Sequence, residues 1–139
     1  MTVHNLITGA VREFSASAVV NDLAFSPDGC ALAAVTDAPE SVIRLWDIQS
    51  GHDTTWLGHS GNIHGLAFSP TDGLLATSAD DGTVRLWKRD GDGTPVKTIG
   101  PGPFGGAVRS VAFTPDGRYL ATANANGFVY LLRTFDSPK

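Results

Sequence analysis

A second cysteine is missing. Cys30 stands alone in 139 residues, so no intrachain disulfide and no thiolate-based metal site can be built. A single thiol fits a reducing compartment, and Cys30 reads as a small buried hydrophobe on a strand. Basic clusters are missing too. The ten Lys and Arg are scattered singly against fourteen Asp and Glu, giving a formal charge of −4 and a pI near 5.4. That excludes a cationic footprint for a phosphate backbone, and nucleic acid is not an expected partner. No apolar run approaches the ~18 residues of a membrane span, and residues 1–14 lack the basic and apolar regions of a secretory leader. The chain is expected to be cytoplasmic, without a membrane partner. Long polar tracts are also absent, and 42% of residues are hydrophobic, the composition of an ordered domain.

What is abundant is glycine and proline, sixteen and eight of them, in short clusters between apolar runs. Such punctuation belongs to an all-β chain with many tight turns. The clusters are not random. Leu23-Ala24-Phe25-Ser26-Pro27-Asp28-Gly29 returns as Leu66-Ala67-Phe68-Ser69-Pro70-Thr71-Asp72-Gly73 and as Val111-Ala112-Phe113-Thr114-Pro115-Asp116-Gly117, the phenylalanines standing 43 and 45 residues apart. A second phrase follows each time: Val42-Ile43-Arg44-Leu45-Trp46-Asp47, Thr83-Val84-Arg85-Leu86-Trp87-Lys88 and Phe128-Val129-Tyr130-Leu131-Leu132-Arg133.

Within a unit, the alternation in Ile63-His64-Gly65-Leu66-Ala67-Phe68 predicts a strand with one buried face. The Pro-Asp-Gly turn follows, because Pro presets φ, Asp bonds its own backbone and Gly accepts positive φ. A second strand from Leu74 to Ser78 and a third from Thr83 to Lys88 flank the hairpin Asp80-Asp81-Gly82. A weaker fourth strand is predicted from Pro95 to Ile99. Four short antiparallel strands in ~40 to 45 residues make a propeller blade.

These motifs resemble the WD40-repeat β-propeller family, whose Gly-His and Trp-Asp signatures survive as Gly58-His59, Trp87-Lys88 and Trp46-Asp47. The resemblance runs from about Ala10 to Arg133 and implies one domain over residues 1–139. Residues 1–15 read as outer strands of a neighbouring or closing blade. Blades are expected at 16–57 and 58–100, a three-stranded blade at 105–133 and a tail at 134–139. The resemblance also implies a buried network in the middle blade through His59, Asp81 and Trp87. Its hydroxyl position falls on Ala79, with Thr77 or Ser78 as substitutes, so a partial network is expected. In the first blade the hairpin Asp37-Ala38-Pro39-Glu40-Ser41 is longer, Glu40 stands where Asp belongs and only Trp46 survives. The last blade offers Asn124 and Asn126 in the polar slots and Leu132 in place of Trp, which predicts apolar packing with an asparagine bridge.

A His beside a carboxylate also suggests catalysis or metal binding. No nucleophile or third ligand lies near His59 and Asp81 in sequence, and a spacing of five puts His59 and His64 on opposite faces of an extended strand. No catalytic residue, metal or cofactor is expected. The Ser-Pro and Thr-Pro pairs at Ser26, Ser69 and Thr114 are explained by the turn. The stretch Gly100 to Gly106 lacks the helix and Lys of a phosphate loop and reads as a connector.

About three blades are fewer than family rings contain, so two blade faces are left to cover. The expected solution is a homo-oligomer, a dimer or trimer closing a ring by strand exchange between the N- and C-terminal units; a segment of a longer array is the alternative. The segment Leu120 to Arg133 resembles the last repeat of WD40 arrays fused to bacterial serine/threonine kinases, which implies a regulatory segment as a second function. The leading expectation is a non-catalytic scaffold for a protein or peptide. A channel enzyme and a fragment whose only activity is self-assembly are further alternatives. By family position the partner-contact candidates are Val19, Asn21 and Pro39, then Asn62, His64 and Asp80, then Ala107, Arg109 and Ala125.

Overall fold

A computed structural model describes residues 2–4, 11–102 and 105–134. Every regular element among them is a strand: β1 (Thr2–His4), β2 (Val11–Glu13), β3 (Val20–Phe25), β4 (Ala31–Thr36), β5 (Ile43–Asp47), β6 (Asp53–Trp56), β7 (Ile63–Phe68), β8 (Leu74–Ala79), β9 (Val84–Lys88), β10 (Pro95–Ile99), β11 (Val108–Phe113), β12 (Tyr119–Asn124) and β13 (Val129–Arg133). They form an antiparallel sheet β3-β4-β5-β6, a second sheet β7-β8-β9-β10, a three-stranded sheet β11-β12-β13 and the hairpin β1-β2. The expected connector at 100–106 and tail at 134–139 lie partly outside the described residues.

The repeated turn joins the first two strands of each sheet. Its closing bonds run from Ser26 N–H to Ala31 O, Ser69 N–H to Leu74 O and Thr114 N–H to Tyr119 O, so all three loops have one length although glycine stands a position later in the second. Gly29, Gly73 and Gly117 all sit at φ near +70°, where a Cβ is disfavoured. Asp28 Oδ1 accepts from Cys30 N–H at 2.9 Å and Asp116 Oδ1 from Arg118 N–H at 3.0 Å. Cys30 is therefore in the turn, and it is exposed. The expectation of a buried strand residue fails because the aspartate bond holds position 30 outside the sheet.

The sheets stack face to face. Cross-sheet contacts run from β3 and β4 to β7, and from β7 and β8 to β11, so the inner strands meet while the outer strands fan apart. Ala33, Val35, Ile43, Leu45 and Trp56 of the first sheet pack on Ile63, Leu66, Leu75 and Trp87 of the second. Leu74, Ala76, Val84 and Leu86 on the other face of the second sheet pack on Val108, Val111 and Leu120 of the third. Alternation along each strand supplies both faces, which is why β4 and β8 are buried along their whole length. Gly65 lets the backbones approach: a Cβ there stands 2.9 Å from Ser110 Cα and 2.8 Å from Ser78 Oγ.

The N-terminal hairpin follows the same plan. His4 pairs with Val11 and Thr2 with Glu13, matching Trp46 with Asp53 and Arg44 with Thr55. Phe14 then packs on Trp46 with ring centroids 5.7 Å apart, as Trp56 packs on Trp87 at 5.8 Å. By register, β1-β2 is the outer half of one more sheet, anchored to the first sheet by Phe14 and Ala16.

Candidate functional site

Two polar groupings stand out, one sealed between sheets and one open at the rim. The sealed one lies in the second sheet. Trp87 Nε1–H donates to Thr77 Oγ1 at 2.9 Å, the Thr77 hydroxyl meets His59 Nε2 at 2.7 Å, and His59 Nδ1 meets Asp81 Oδ2 at 2.9 Å. One proton arrangement satisfies all four: neutral His59 carries its proton on Nδ1 and accepts from Thr77 at Nε2. Asp81 also accepts from Ser60 N–H at 3.1 Å, Thr83 N–H at 2.9 Å and Thr83 Oγ1 at 2.7 Å.

The hydroxyl comes from Thr77, and the chain of bonds is complete where a partial one was expected. Leu75 is the direct partner of Trp87 across β8 and β9. Thr77, two residues on, shares its face and lies diagonal to the indole; Ala79 is one step too far along the strand.

Burial pushes the His59 pKa below its ordinary value, while the Asp81 hydrogen bond opposes it. Burial of Asp81 acts in the raising direction and is outweighed by the bonds from Thr83, His59 and Ser60, so its carboxyl is held below the ordinary range. The His59 and Asp81 side chains are 0% and 6% exposed, closed to any substrate. Among the described residues no group of three or more His, Cys, Asp or Glu converges.

The other sheets treat the same slots differently. Thr122 takes the place of Thr77, and Asn124 Nδ2 donates to its hydroxyl at 2.9 Å and to Phe128 O at 3.0 Å. Asn124 thus forms an asparagine bridge between Thr122 and the Phe128 carbonyl, while Asn126 donates to the Tyr130 hydroxyl. In the first sheet Thr36 donates to Glu40 O at 2.9 Å; Glu40 contributes its carbonyl there, and Trp46 packs on Phe14.

The open grouping collects the contact candidates. Asp37 N–H bonds Val19 O, Asp80 N–H bonds Asn62 O, and Ala125 N–H bonds Ala107 O. These three equivalent pairs bring six residues, one pair from each sheet, to the same rim. Asn21 Nδ2 donates to Asp37 Oδ1 at 2.6 Å and crosses to Ile63 O at 2.9 Å; Asn62 Oδ1 accepts from Ala38 N–H at 2.9 Å. Between the second and third sheets, His64 Nε2 lies 2.7 Å from Asp80 Oδ1 and Arg109 Nη1 lies 3.1 Å from it. Asn21, Asp80, Arg109 and Ala125 are exposed, as is Pro39. Family position points to Pro39, but the longer hairpin of the first sheet makes Asp37 the counterpart of Asp80. Asp22 was missed as well: its Oδ2 crosses to the second sheet and accepts from Leu66 N–H at 3.0 Å.

Three segments, residues 8–47, 51–88 and 93–131, match the model of the WD domain, G-beta repeat. Each begins one strand before its sheet, with β2, β6 and β10. Among similar proteins, human coronin-7 is 40% identical over 79 residues, covering 56% of this chain and 8% of that protein. The probable cytosolic iron-sulfur protein assembly protein Ciao1 of Culex quinquefasciatus is 40% identical over 73 residues, 52% of this chain and 22% of its own length. Protein HIR1 of Cryptococcus neoformans is 33% identical over 123 residues, 84% of this chain and 14% of that protein. The chain thus spans less than a quarter of each of these relatives. With three matched repeats over most of its length and all-β sheets of three to four antiparallel strands, the chain belongs to the WD-repeat family.

Proposed function

We propose that this chain is a non-catalytic scaffold that binds a protein or peptide at the rim formed by Val19–Asp37, Asn62–Asp80 and Ala107–Ala125. The observation that carries this reading is the repetition of one backbone bond in all three sheets, which sets side chains of different chemistry side by side on a fixed frame. Asn21, Asn62, His64, Asp80 and Arg109 offer donors and acceptors there, while the core remains closed behind them. Rigid, mixed-polarity surfaces of this kind suit recognition of a peptide backbone and its side chains.

The sealed state of His59 and Asp81 supports a structural role for the one acid–base pair that sequence spacing singles out. The membership of repeat proteins such as coronin-7 and HIR1 in the same family supports binding over chemistry. In the same reading the chain works in the cytoplasm as a homo-oligomer, without a nucleic-acid or membrane partner.

Selection of a displayed random-peptide library against the immobilised chain tests the rim. Selected peptides should lose at least tenfold in affinity when Asn62, His64 and Arg109 are together changed to Ala, and should be indifferent to Arg118→Ala at the opposite end of the sheets. Equal binding to the triple variant counts against this surface.

A further inference from the structure

The basic residues that stand singly in the sequence do not stay scattered in the fold. Arg44, Arg85, Arg89, Arg109 and Arg118 each lie within ion-pairing distance of an aspartate. Among the described side chains the remaining basic ones are Lys88, Lys97 and Arg133, all exposed and none with a carboxylate partner. All three line one groove between the outer parts of the second and third sheets, about 500 Å³ in volume, a size that suits a ligand. Leu74 and Leu86 form its apolar floor, and Val96, 51% exposed, stands on its wall. Asp72 also borders it, with Oδ1 already accepting from Leu74 N–H at 3.1 Å. Three cations against one carboxylate make a basic spot on a chain whose formal charge is −4.

The junction one sheet earlier shows that the repeat does not require this. Lys88 pairs with Leu74 across β9 and β8 as Asp47 pairs with Ala31 across β5 and β4, so the two grooves are built on equivalent positions. The earlier one measures about 170 Å³ and mixes Asp47 and Asp90 with Arg89. Its charges are spent inside the protein: Asp47 Oδ1 accepts from Ser50 N–H at 2.7 Å and from the Ser50 hydroxyl at 2.8 Å, and Arg89 is held by Asp28 at 2.7 Å. In the second sheet the Trp-Asp pair reads Trp87-Lys88. The same backbone bond closes both turns, Gly51 N–H to Asp47 O and Gly91 N–H to Lys88 O, so the turn does not need the Lys88 side chain. Arg133 Cζ lies 6.0 Å from the centre of the Tyr119 ring, a contact that steadies the guanidinium without neutralising it.

We propose that this groove binds an acidic peptide segment of a partner protein, seating an apolar side chain on Leu74, Leu86 and Val96 and the flanking carboxylates on Lys88, Lys97 and Arg133. It lies at the opposite end of the sheets from the rim and does not depend on it. The charge surplus selects an anion, and the apolar floor selects what the anion is attached to. An exposed charge pair is individually weak, so one small anion is not retained in water, whereas several carboxylates tied to one apolar anchor act together. Three cations also fall short of the ~4–8 that hold a protein on an anionic membrane.

Fluorescence anisotropy of a rhodamine-labelled peptide, Glu-Glu-Leu-Glu-Glu with blocked ends, tests the groove on the intact chain. The peptide should bind, and its affinity should fall about tenfold as salt rises from about 0.05 to 0.5 M. Lys88→Asp gives the second sheet the Trp-Asp pair of the first, and Lys97→Glu reverses a second exposed charge. Each should keep the β-sheet circular dichroism spectrum and weaken binding by about tenfold or more. The peptides Gln-Gln-Leu-Gln-Gln and Glu-Glu-Gly-Glu-Glu should each bind about tenfold more weakly or worse, the first for want of charge and the second for want of the anchor. No binding at about 1 mM, equal binding by either control peptide, or equal binding to Lys88→Asp or Lys97→Glu overturns the proposal. Capture of the chain by phosphatidylserine vesicles in place of the peptide also overturns it and gives the cluster to a lipid surface. The triple change of Asn62, His64 and Arg109 to Ala should leave this peptide's affinity unchanged, and its loss there moves the site to the rim. Peptides selected on the rim should in turn be indifferent to Lys88→Asp, so each site is tested apart from the other.

Discussion

Trp87 and Thr77 are joined by a 2.9 Å hydrogen bond across β9 and β8, and neither side chain is exposed. Thr77 is the middle of the chain Trp87–Thr77–His59–Asp81, so a change at this hydroxyl strands groups on both sides. Thr77→Val keeps the shape, removes an acceptor from the indole and a donor from His59, and leaves two buried polar atoms without partners. At about 1–3 kcal/mol for each, the variant should lose about 2–6 kcal/mol in urea denaturation. Thr122→Val in the third sheet should lose less, since Asn124 keeps its bonds to Thr122 O and Phe128 O.

Acid should act on this network in two stages. The His59 pKa is lowered from 6.5 in the folded chain, so as pH falls below about 6.5 the unfolded chain takes up a proton that the native chain refuses, and stability declines. The Asp81 pKa is lowered from 3.8, which adds a second decline below about pH 3.8. Both contributions are fully present above these values. Urea midpoints between pH 7.5 and 5 should fall, and should fall less in His59→Gln; an identical slope in that variant contradicts the assignment.

Substitution at Gly65 should be felt in two sheets at once. An added Cβ meets Ser110 Cα at 2.9 Å and Val111 N at 3.3 Å, which are backbone atoms of the third sheet and cannot turn aside. Gly65→Ala should cost about 1–3 kcal/mol, the range of an overpacked core. At Gly102 a Cβ has nothing within 4 Å, and Gly102→Ala should leave the melting temperature unchanged or slightly raised.

The rim should tolerate change. Asp80 and Arg109 are joined at 3.1 Å with side chains 37% and 54% exposed, a setting in which an ion pair contributes about 0–1 kcal/mol. Asp80→Ala and Arg109→Ala should each shift stability by less than about 1 kcal/mol, measured by thermal melting in 0.15 M salt. A larger loss assigns these residues to holding the sheets together.

What the sequence makes legible is chemistry confined to a few neighbouring residues. The two Pro-Asp-Gly turns and the Pro-Thr-Asp-Gly turn of the second sheet announce the first hairpin of each sheet, because proline, aspartate and glycine act within the turn itself. The weak fourth strand at Pro95–Ile99 is found as the apolar run that follows the third strand. Failures come where a position is set by a partner on another strand. Thr77 is recognised only once β8 is registered on β9, and Asp37 only once its amide is seen to meet Val19 O. Cys30 looks like the start of a strand, but Asp28 holds it in the turn, a distinction of one residue that hydrophobicity does not encode.

The offset between the sequence repeat and the sheet, with β6 and β10 opening the next repeat while completing the previous sheet, governs how the molecule comes apart. No repeat can melt alone: opening residues 51–88 strips β6 from the first sheet as it dissolves β7 to β9. Fraying therefore crosses each junction, and neighbouring repeats should share one cooperative transition, with amide protons of β4 and β8 exchanging at a common rate set by global unfolding.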